Sequence, residues 1–406
     1  MPTNPKSTNP VVFNRVLFNK LLNSLSSEHV VILYGPRQVG KTFLMKQIKQ
    51  YLKAQGVKTT YVSAELLPTY KILSQPDLSK LKAYFGDTEV IFIDEAQKIP
   101  NIGEVLKVLV DYTDYKVLIS GSSSLFLSNL TEESLAGRKR TFTLYPLTFE
   151  EIAGSLGRTT AYANLNTNLI IGGYPRVNLM FLQGASLNDI QIYLTELVNS
   201  TLYKDLLSLA PIKHPQKIFD LLELLYHNLA GEVSLNKLAN ALNIDVKTVD
   251  KYLDMLTKVF LITPLRPLFN NTQKEVKRSK KYYFVDNGVA NVFYGSFEPH
   301  LPAEQMGRLW ENYVFTQLRA LSEYNDLLLR FYFWRQKTNG KVKEIDFVLK
   351  KGDKMFAIET KYNPQEAKKY ANPPRLFTRL YPQAQYAVIT PENFVQVLQQ
   401  VKDHFA

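Results

Sequence analysis

The chain of 406 residues contains no cysteine, which excludes disulfides, thiolate metal sites and a cysteine nucleophile. Its five histidines leave little material for a His-rich metal centre. Acidic residues are outnumbered, 37 Asp and Glu against 49 Lys and Arg, and the resulting charge of +12 suits a polyanionic partner, nucleic acid first. No apolar run approaches the ~18 residues of a membrane span, and the polar, Pro-rich start from Met1 to Pro10 lacks an apolar signal core. The expectation is a cytoplasmic protein without a membrane partner, its leader a mobile tail. A hydrophobic content of 45% with 21% charged residues excludes a disordered chain. At about 150 residues per domain the length predicts two or three domains. Phe13 to Leu25 reads as a helix, with Phe13, Val16, Leu17, Leu21 and Leu22 on one face.

The first chemical signal is a buried-strand run, His29 to Tyr34, followed by Gly35-Pro36-Arg37-Gln38-Val39-Gly40-Lys41-Thr42 and a helical pattern. The spacing G-x-x-x-x-G-K-[ST] between strand and helix is that of a phosphate-binding P-loop. Its glycines let backbone N–H groups converge on phosphate oxygens at a helix N-terminus, Lys41 neutralises β- and γ-phosphates, and the Thr42 hydroxyl can ligate Mg²⁺. Phe43 completes the nucleotide-binding set. A second apolar strand, Val90 to Ile93, ends in Asp94-Glu95, a Walker B pattern in which Asp94 holds Mg²⁺ and Glu95 orients and deprotonates water. The strand Lys116 to Ser120 then runs into Gly121-Ser122. Ser122 is either a sensor between Asp94 and the γ-phosphate or part of a turn that caps the next helix. Arg138 has two readings as well, a finger reaching a neighbouring subunit's nucleotide or a solvated charge.

Taken in order, the P-loop, Val90 to Pro100, Leu118 to Ser124, Ser134 to Ile152 and Gly172-Gly173-Tyr174-Pro175-Arg176 resemble the AAA-type ATPases of bacteria and archaea. The closest family joins this ATPase to a poorly characterised C-terminal region, and the resemblance covers nearly all of the chain after Asn14. It implies a parallel sheet with helices on both faces, a helical lid over Glu150 to Leu207, and homo-oligomers with Arg138 contributed across the interface. The Gly-Gly-Tyr-Pro segment reads as a chain turn.

Within Ser208 to Phe269, Ser234 is a natural N-cap, Leu235, Leu238 and Leu242 form an apolar face, and Asn243 to Asp245 supplies the turn before a second amphipathic helix. This is a helix-turn-helix pattern, and Phe260 to Phe269 supplies a wing. Lys247, Thr248, Lys251 and Tyr252 are expected on the outward face of the second helix, in reach of DNA, unless the module serves packing or assembly. A basic run follows, in which Lys274, Lys277, Arg278, Lys280 and Lys281 face only Glu275. It is either a solvated face or an anchored patch that aligns a nucleic-acid backbone.

The last segment places Glu311 on a helix from Met306 to Arg319, and strands at Phe331 to Arg335, Glu344 to Leu349 and Met355 to Lys361. Strand alternation puts Glu359 and Lys361 on one face, and a turn at Lys351-Gly352-Asp353 brings Asp346 beside them. The order resembles the PD-(D/E)XK nuclease core, although Glu344-Ile345 stands where that pattern carries a Pro before the first Asp. By that resemblance Glu311, Asp346 and Glu359 are Mg²⁺ or Mn²⁺ ligands, and Lys361 activates water or stabilises the phosphorane.

The fold class expected is therefore α/β: a P-loop AAA-type parallel sheet with a helical lid over 1–207, a winged helix-turn-helix over 208–270, and an α/β restriction-endonuclease-like domain over 271–406. The function expected is an ATP-hydrolysing, DNA-associated enzyme that remodels or moves on duplex or branched DNA. The competing reading is a slow ATPase switch in signalling or defence whose last domain only binds.

Overall fold

The computed structural model describes residues 11–122, 135, 137–206, 214–269, 279–338 and 341–406. The leader, Lys274, Lys277 and Arg278 lie outside the described residues. The first sheet consists of β1 (Val30–Tyr34), β2 (Thr59–Ser63), β3 (Val90–Asp94), β4 (Lys116–Gly121) and β5 (Lys139–Thr143), all parallel, in the order β2-β3-β4-β1-β5. Parallel strands covered on both faces need apolar residues at every position, which is what Val30-Val31-Ile32-Leu33-Tyr34 supplies. Val30, Ile32 and Tyr34 enter one core layer with Ile91, Ile93 and Ile119, while Val31 and Leu33 enter the other with Phe92 and Leu118.

Helices Phe149–Leu156, Arg158–Ala163, Leu165–Ile171, Pro175–Leu182 and Leu187–Ser200 follow the sheet. The first opens on a capping box, in which Thr148 Oγ1 accepts from Glu151 N at 3.2 Å and Glu151 Oε2 accepts from Thr148 N at 3.0 Å. The predicted helix from Phe13 starts only at Leu17. Asn14 N instead donates to Ser155 Oγ at 3.1 Å and Val16 N to Glu151 Oε1 at 3.0 Å, so tertiary partners hold the chain ahead of Leu17.

Next come the helix Gln216–His227, β6 (Glu232–Val233), helices Leu235–Leu242 and Val246–Lys258, β7 (Ile262–Pro267) and β8 (Lys280–Phe284). Ser234 and Asp245 cap the two middle helices, and Asn243 takes the left-handed conformation, φ 50°, at the turn between them. After helices Asn287–Tyr294 and Ala303–Tyr324 come β9 (Arg330–Thr338), β10 (Lys341–Lys351), β11 (Lys354–Thr360) and β12 (Gln385–Ile389), then the helix Phe394–Phe405. Strands β6 to β12 form one seven-stranded sheet, β12-β11-β10-β9-β7-β8-β6, because β7 runs parallel to β9 through Arg266 and Pro267. This sheet crosses the boundary at residue 270 read from the sequence.

Gly172, Gly173 and Asp286 join the lid to the C-terminal half. Gly173 N donates to Asp286 Oδ2 at 2.7 Å, and Oδ1 of the same carboxylate caps the Asn287–Tyr294 helix through Val289 N at 3.1 Å. Gly172 has φ 79°, and a Cβ there would lie 2.0 Å from Asp286 Oδ1, so neither the backbone nor the space admits a side chain. The Gly-Gly-Tyr-Pro segment is thus a packing turn.

Candidate functional site

At the C-terminal edge of the first sheet, β1 leads into the glycine loop and the helix Lys41–Ala54. Gly35 has φ 145°, and a Cβ would meet Leu144 O at 2.2 Å, so the loop closes tightly against the chain that leaves β5. Gly40 occupies the N-cap with φ 102° and offers no side-chain acceptor. No side chain caps the N-terminus of this helix of 14 residues, an arrangement that suits a phosphate. Lys41, 5% exposed, folds its ammonium back onto the loop, donating to Gly35 O at 2.9 Å and Pro36 O at 2.7 Å. Phe43 projects from the first turn and is half exposed.

Asp94 is buried at the end of β3 and gathers three hydroxyls. Thr42 Oγ1 donates to Oδ2 at 2.7 Å, Tyr61 OH to Oδ2 at 2.6 Å, and Ser120 Oγ to Oδ1. Burial, then the bond to Asp94, holds the Tyr61 phenol above its usual range, so it stays a donor. Glu95 adopts the left-handed conformation, φ 55°. Gln97 Nε2 donates to Glu95 Oε2 at 2.5 Å and to Ser122 Oγ at 3.1 Å. Ser122 is thus linked to Glu95 through Gln97, and Ser120 is the serine that touches Asp94. Neither Ser120, Tyr61 nor Gln97 was singled out in the sequence, since only the parallel order β2-β3-β4 brings them together.

Arg15 was missed as well. Its guanidinium, nearly fully buried, donates to Val39 O at 2.7 Å, Tyr145 O at 2.5 Å and Glu151 Oε1 at 2.9 Å, tying the P-loop to the lid. From the other side, Tyr193 OH donates to Gln38 Oε1. Arg37 lies partly buried in the same loop. Arg138 precedes β5, whose Lys139 pairs with Val30 at the start of β1, and it forms an ion pair with Asp111. It lies at the sheet end opposite the P-loop, about 16 Å away at 3.3 Å per strand residue.

On the helix Val246–Lys258, Lys247 and Lys251 are exposed. Thr248 Oγ1 is committed to the N-cap, bonding Asp245 Oδ2 at 2.5 Å. Tyr252 is 3% exposed, against expectation: with Val249, Leu253 and Leu256 it forms the inward face that the 3.6-residue period dictates. The outer face also carries exposed Asp250 and Asp254, so its charge is mixed.

Lys281 departs further from the basic surface patch expected of it. Lys280 is partly exposed, whereas Lys281 is 1% exposed, because strand alternation turns it inward with Tyr283. Its Nζ lies 2.5 Å from Glu344 Oε1 and 3.3 Å from Glu311 Oε1. Burial alone would favour the neutral amine, but Glu311, Asp346 and Glu344 outweigh it and raise the lysine pKa. Tyr283 OH also donates to Glu311 at 2.7 Å. Burial, then the charge of Asp346, pushes Glu311 up to about 7 from an ordinary 4.5. The β10–β11 hairpin pairs Phe347 with Ile358, and Asp346 Oδ2 accepts from Thr360 N and Thr360 Oγ1, both at 2.8 Å. Lys361 Nζ bonds Glu359 Oε1 at 2.6 Å, while burial and Asp346 push Glu359 up to about 8. Among the described residues, no group of three or more His, Cys, Asp or Glu side chains is placed to hold a metal ion. Of the metal set expected from the sequence, Glu311 Oε1 is bonded by Lys281 and Tyr283, Asp346 Oδ2 by Thr360, and Glu359 Oε1 by Lys361.

Residues 27–153 match the model of an AAA domain, and two domains of unknown function follow, DUF8612 over 162–299 and DUF4143 over 306–404. An uncharacterized protein of Mycobacterium tuberculosis is 30% identical over 346 residues, covering 84% of this chain and 72% of the relative. Another from Methanocaldococcus jannaschii is 27% identical, covering 84% of this chain and 76% of that one. Among solved structures, the Walker-type ATPase of Pyrococcus abyssi aligns at 17% identity with a TM-score of 0.49, covering 72% of this chain and 99% of that one. Among the described residues no helix is long and apolar enough to cross a membrane.

Proposed function

The chain belongs to the family of AAA-type P-loop ATPases that includes its mycobacterial relatives, and from that premise we propose that it hydrolyses ATP and uses the cycle to remodel or move on DNA. The observation that carries the ATPase reading is the meeting of Lys41, Thr42 and Asp94 at an uncapped helix N-terminus, with Glu95 one residue on. Gly35 to Phe43 would hold the nucleotide. Thr42 and Asp94, already joined, would hold Mg²⁺, which when bound supplies charge neutralisation at the β- and γ-phosphates. Lys41 leaves two loop carbonyls for phosphate oxygens and exchanges neutral acceptors for charged ones. Glu95 takes the proton of the attacking water, and the Gln97 amide holds its carboxylate in place. Arg138 cannot reach this site within its own chain, so its role as a finger rests on a second copy, and with it the homo-oligomer.

The winged-helix reading is supported by the order helix, short strand, two helices, then the antiparallel pair β7 and β8. Exposed Lys247 and Lys251 and the basic segment between β7 and β8 are the proposed DNA contacts. The endonuclease-like reading of the last domain is supported by β9 to β12 packed on the helix Ala303–Tyr324. DNA cleavage is not part of the function proposed.

The test is the ATPase rate of the full chain without DNA and with duplex, single-stranded and four-way-junction DNA. Stimulation by any of them supports the DNA-associated enzyme. Slow turnover indifferent to all three favours the switch, which is in keeping with the mixed charge of the helix-turn-helix face.

A further inference from the structure

We propose that Lys281 is the resident cation of the C-terminal centre and that its ammonium closes that centre to divalent metal ions. The side chain is 1% exposed and enters from β8, a strand that lies between β7 and β6 and is separated from β11 in the sheet order by β10, β9 and β7. Its Nζ sits 2.5 Å from Glu344 and 3.3 Å from Glu311, and the ring of Phe333 lies beneath it at 5.4 Å. An ammonium carries three donors and no acceptor, so it uses carboxylate lone pairs as a metal would, without coordination geometry.

The neighbouring carboxylates have donors of their own. Asp346 Oδ2 accepts twice from Thr360, and Glu359 is paired with Lys361, whose Nζ also lies 4.1 Å from the ring centroid of Tyr370. A hard divalent cation bound here would draw on the same carboxylates that Lys281 and Lys361 hold, and so would compete with two ammoniums for them. Two ammoniums, Lys281 and Lys361, already stand against these carboxylates, so a divalent ion would place further positive charge beside them, which is costly away from water. This inference does not depend on the ATPase reading.

The experiment uses the full chain, nucleotide-free, carrying Asp94→Asn so that the P-loop offers no carboxylate, with Mn²⁺ followed by the EPR signal of the free ion. The parent is expected to leave the free Mn²⁺ signal undiminished, and its melting temperature is expected to be the same in Mn²⁺ and in EDTA. Adding Lys281→Ala removes the cation and is expected to gain about one Mn²⁺ per chain, a gain abolished again by Asp346→Asn. Mn²⁺ uptake by the parent that Asp346→Asn removes, or an upward melting shift of the parent with Mn²⁺, overturns the proposal. So does a folded Lys281→Ala chain that takes up no Mn²⁺. Should Lys281→Ala fail to fold, the two parent measurements decide.

Discussion

Replacing Arg15 by Met keeps most of the side-chain volume and removes the charge, so its effect isolates the guanidinium. The side chains of Arg15 and Glu151 are 3% and 0% exposed. Without Arg15, Glu151 keeps only the N–H groups of Val16 and Thr148, each at 3.0 Å, and becomes a buried anion with no counter-charge. Breaking such a pair from one side costs about 3–5 kcal/mol. Against a total stability of about 5–15 kcal/mol this is roughly a fifth or more. Val39 O and Tyr145 O also lose their donor, which loosens the P-loop, and losing one such hydrogen bond weakens ATP binding by about tenfold. The assay is urea denaturation of wild type, Arg15→Met, Glu151→Gln and the double variant, with a fluorescent ATP analogue titrated into each. The double variant is expected to be less destabilised than the sum of the single ones, since it leaves no unpaired charge. Arg15→Lys retains the charge but not the planar fork and falls between. An Arg15→Met chain within about 0.5 kcal/mol of wild type, as for an ordinary surface change, refutes the reasoning.

Lys41→Ala is expected to abolish nucleotide binding, and Glu95→Gln to bind ATP while turning over about 10²–10³ times more slowly; unchanged turnover in both removes the site assignment. Asp286 titrates at about 6 against an ordinary 3.8, chiefly through burial, so the folded state binds its proton more tightly than the unfolded state does. Its contribution is present below pH ~4 and lost as pH rises to about 6, amounting to about 3 kcal/mol. Asp286→Asn should flatten this slope in urea midpoints taken from pH 4 to 7, and an identical slope in the variant contradicts the burial argument. DNA affinity is expected to fall roughly tenfold or more between 50 and 200 mM salt. Replacing Lys277, Arg278 and Lys280 by Ala should reduce the salt slope, whereas an unaltered slope takes the segment off the DNA backbone. Lys281 is left out of that set because it is buried.

Local order was readable from the chain alone wherever a few adjacent residues carry the physics. The apolar run of β1, the glycine loop and the helix after it are contiguous, and phosphate binding needs nothing further away than the next strand end. The cap Ser234, the turn from Asn243 to Asp245 and the hairpin at Gly352 were legible for the same reason, since the bonds that define them span three or four residues. Tyr252 shows where such reading slipped: it was expected on the outward face, whereas the 3.6-residue period puts it inward with Val249 and Leu256.

Pairing across long sequence separations was settled only by the tertiary structure. Arg15 meets Glu151 across 136 positions and Gly173 meets Asp286 across 113, and no local pattern marks either partner. Lys281 is the sharpest case. In sequence it ends a basic run and looks solvated, but β8 pairs with β7 and turns every second side chain toward Glu311 and Glu344. Composition and motif determined that this chain handles phosphate with a P-loop. Which charges face water and which neutralise one another inside was decided by strand register, because a side chain's face depends on the partner strand as much as on its neighbours in the chain.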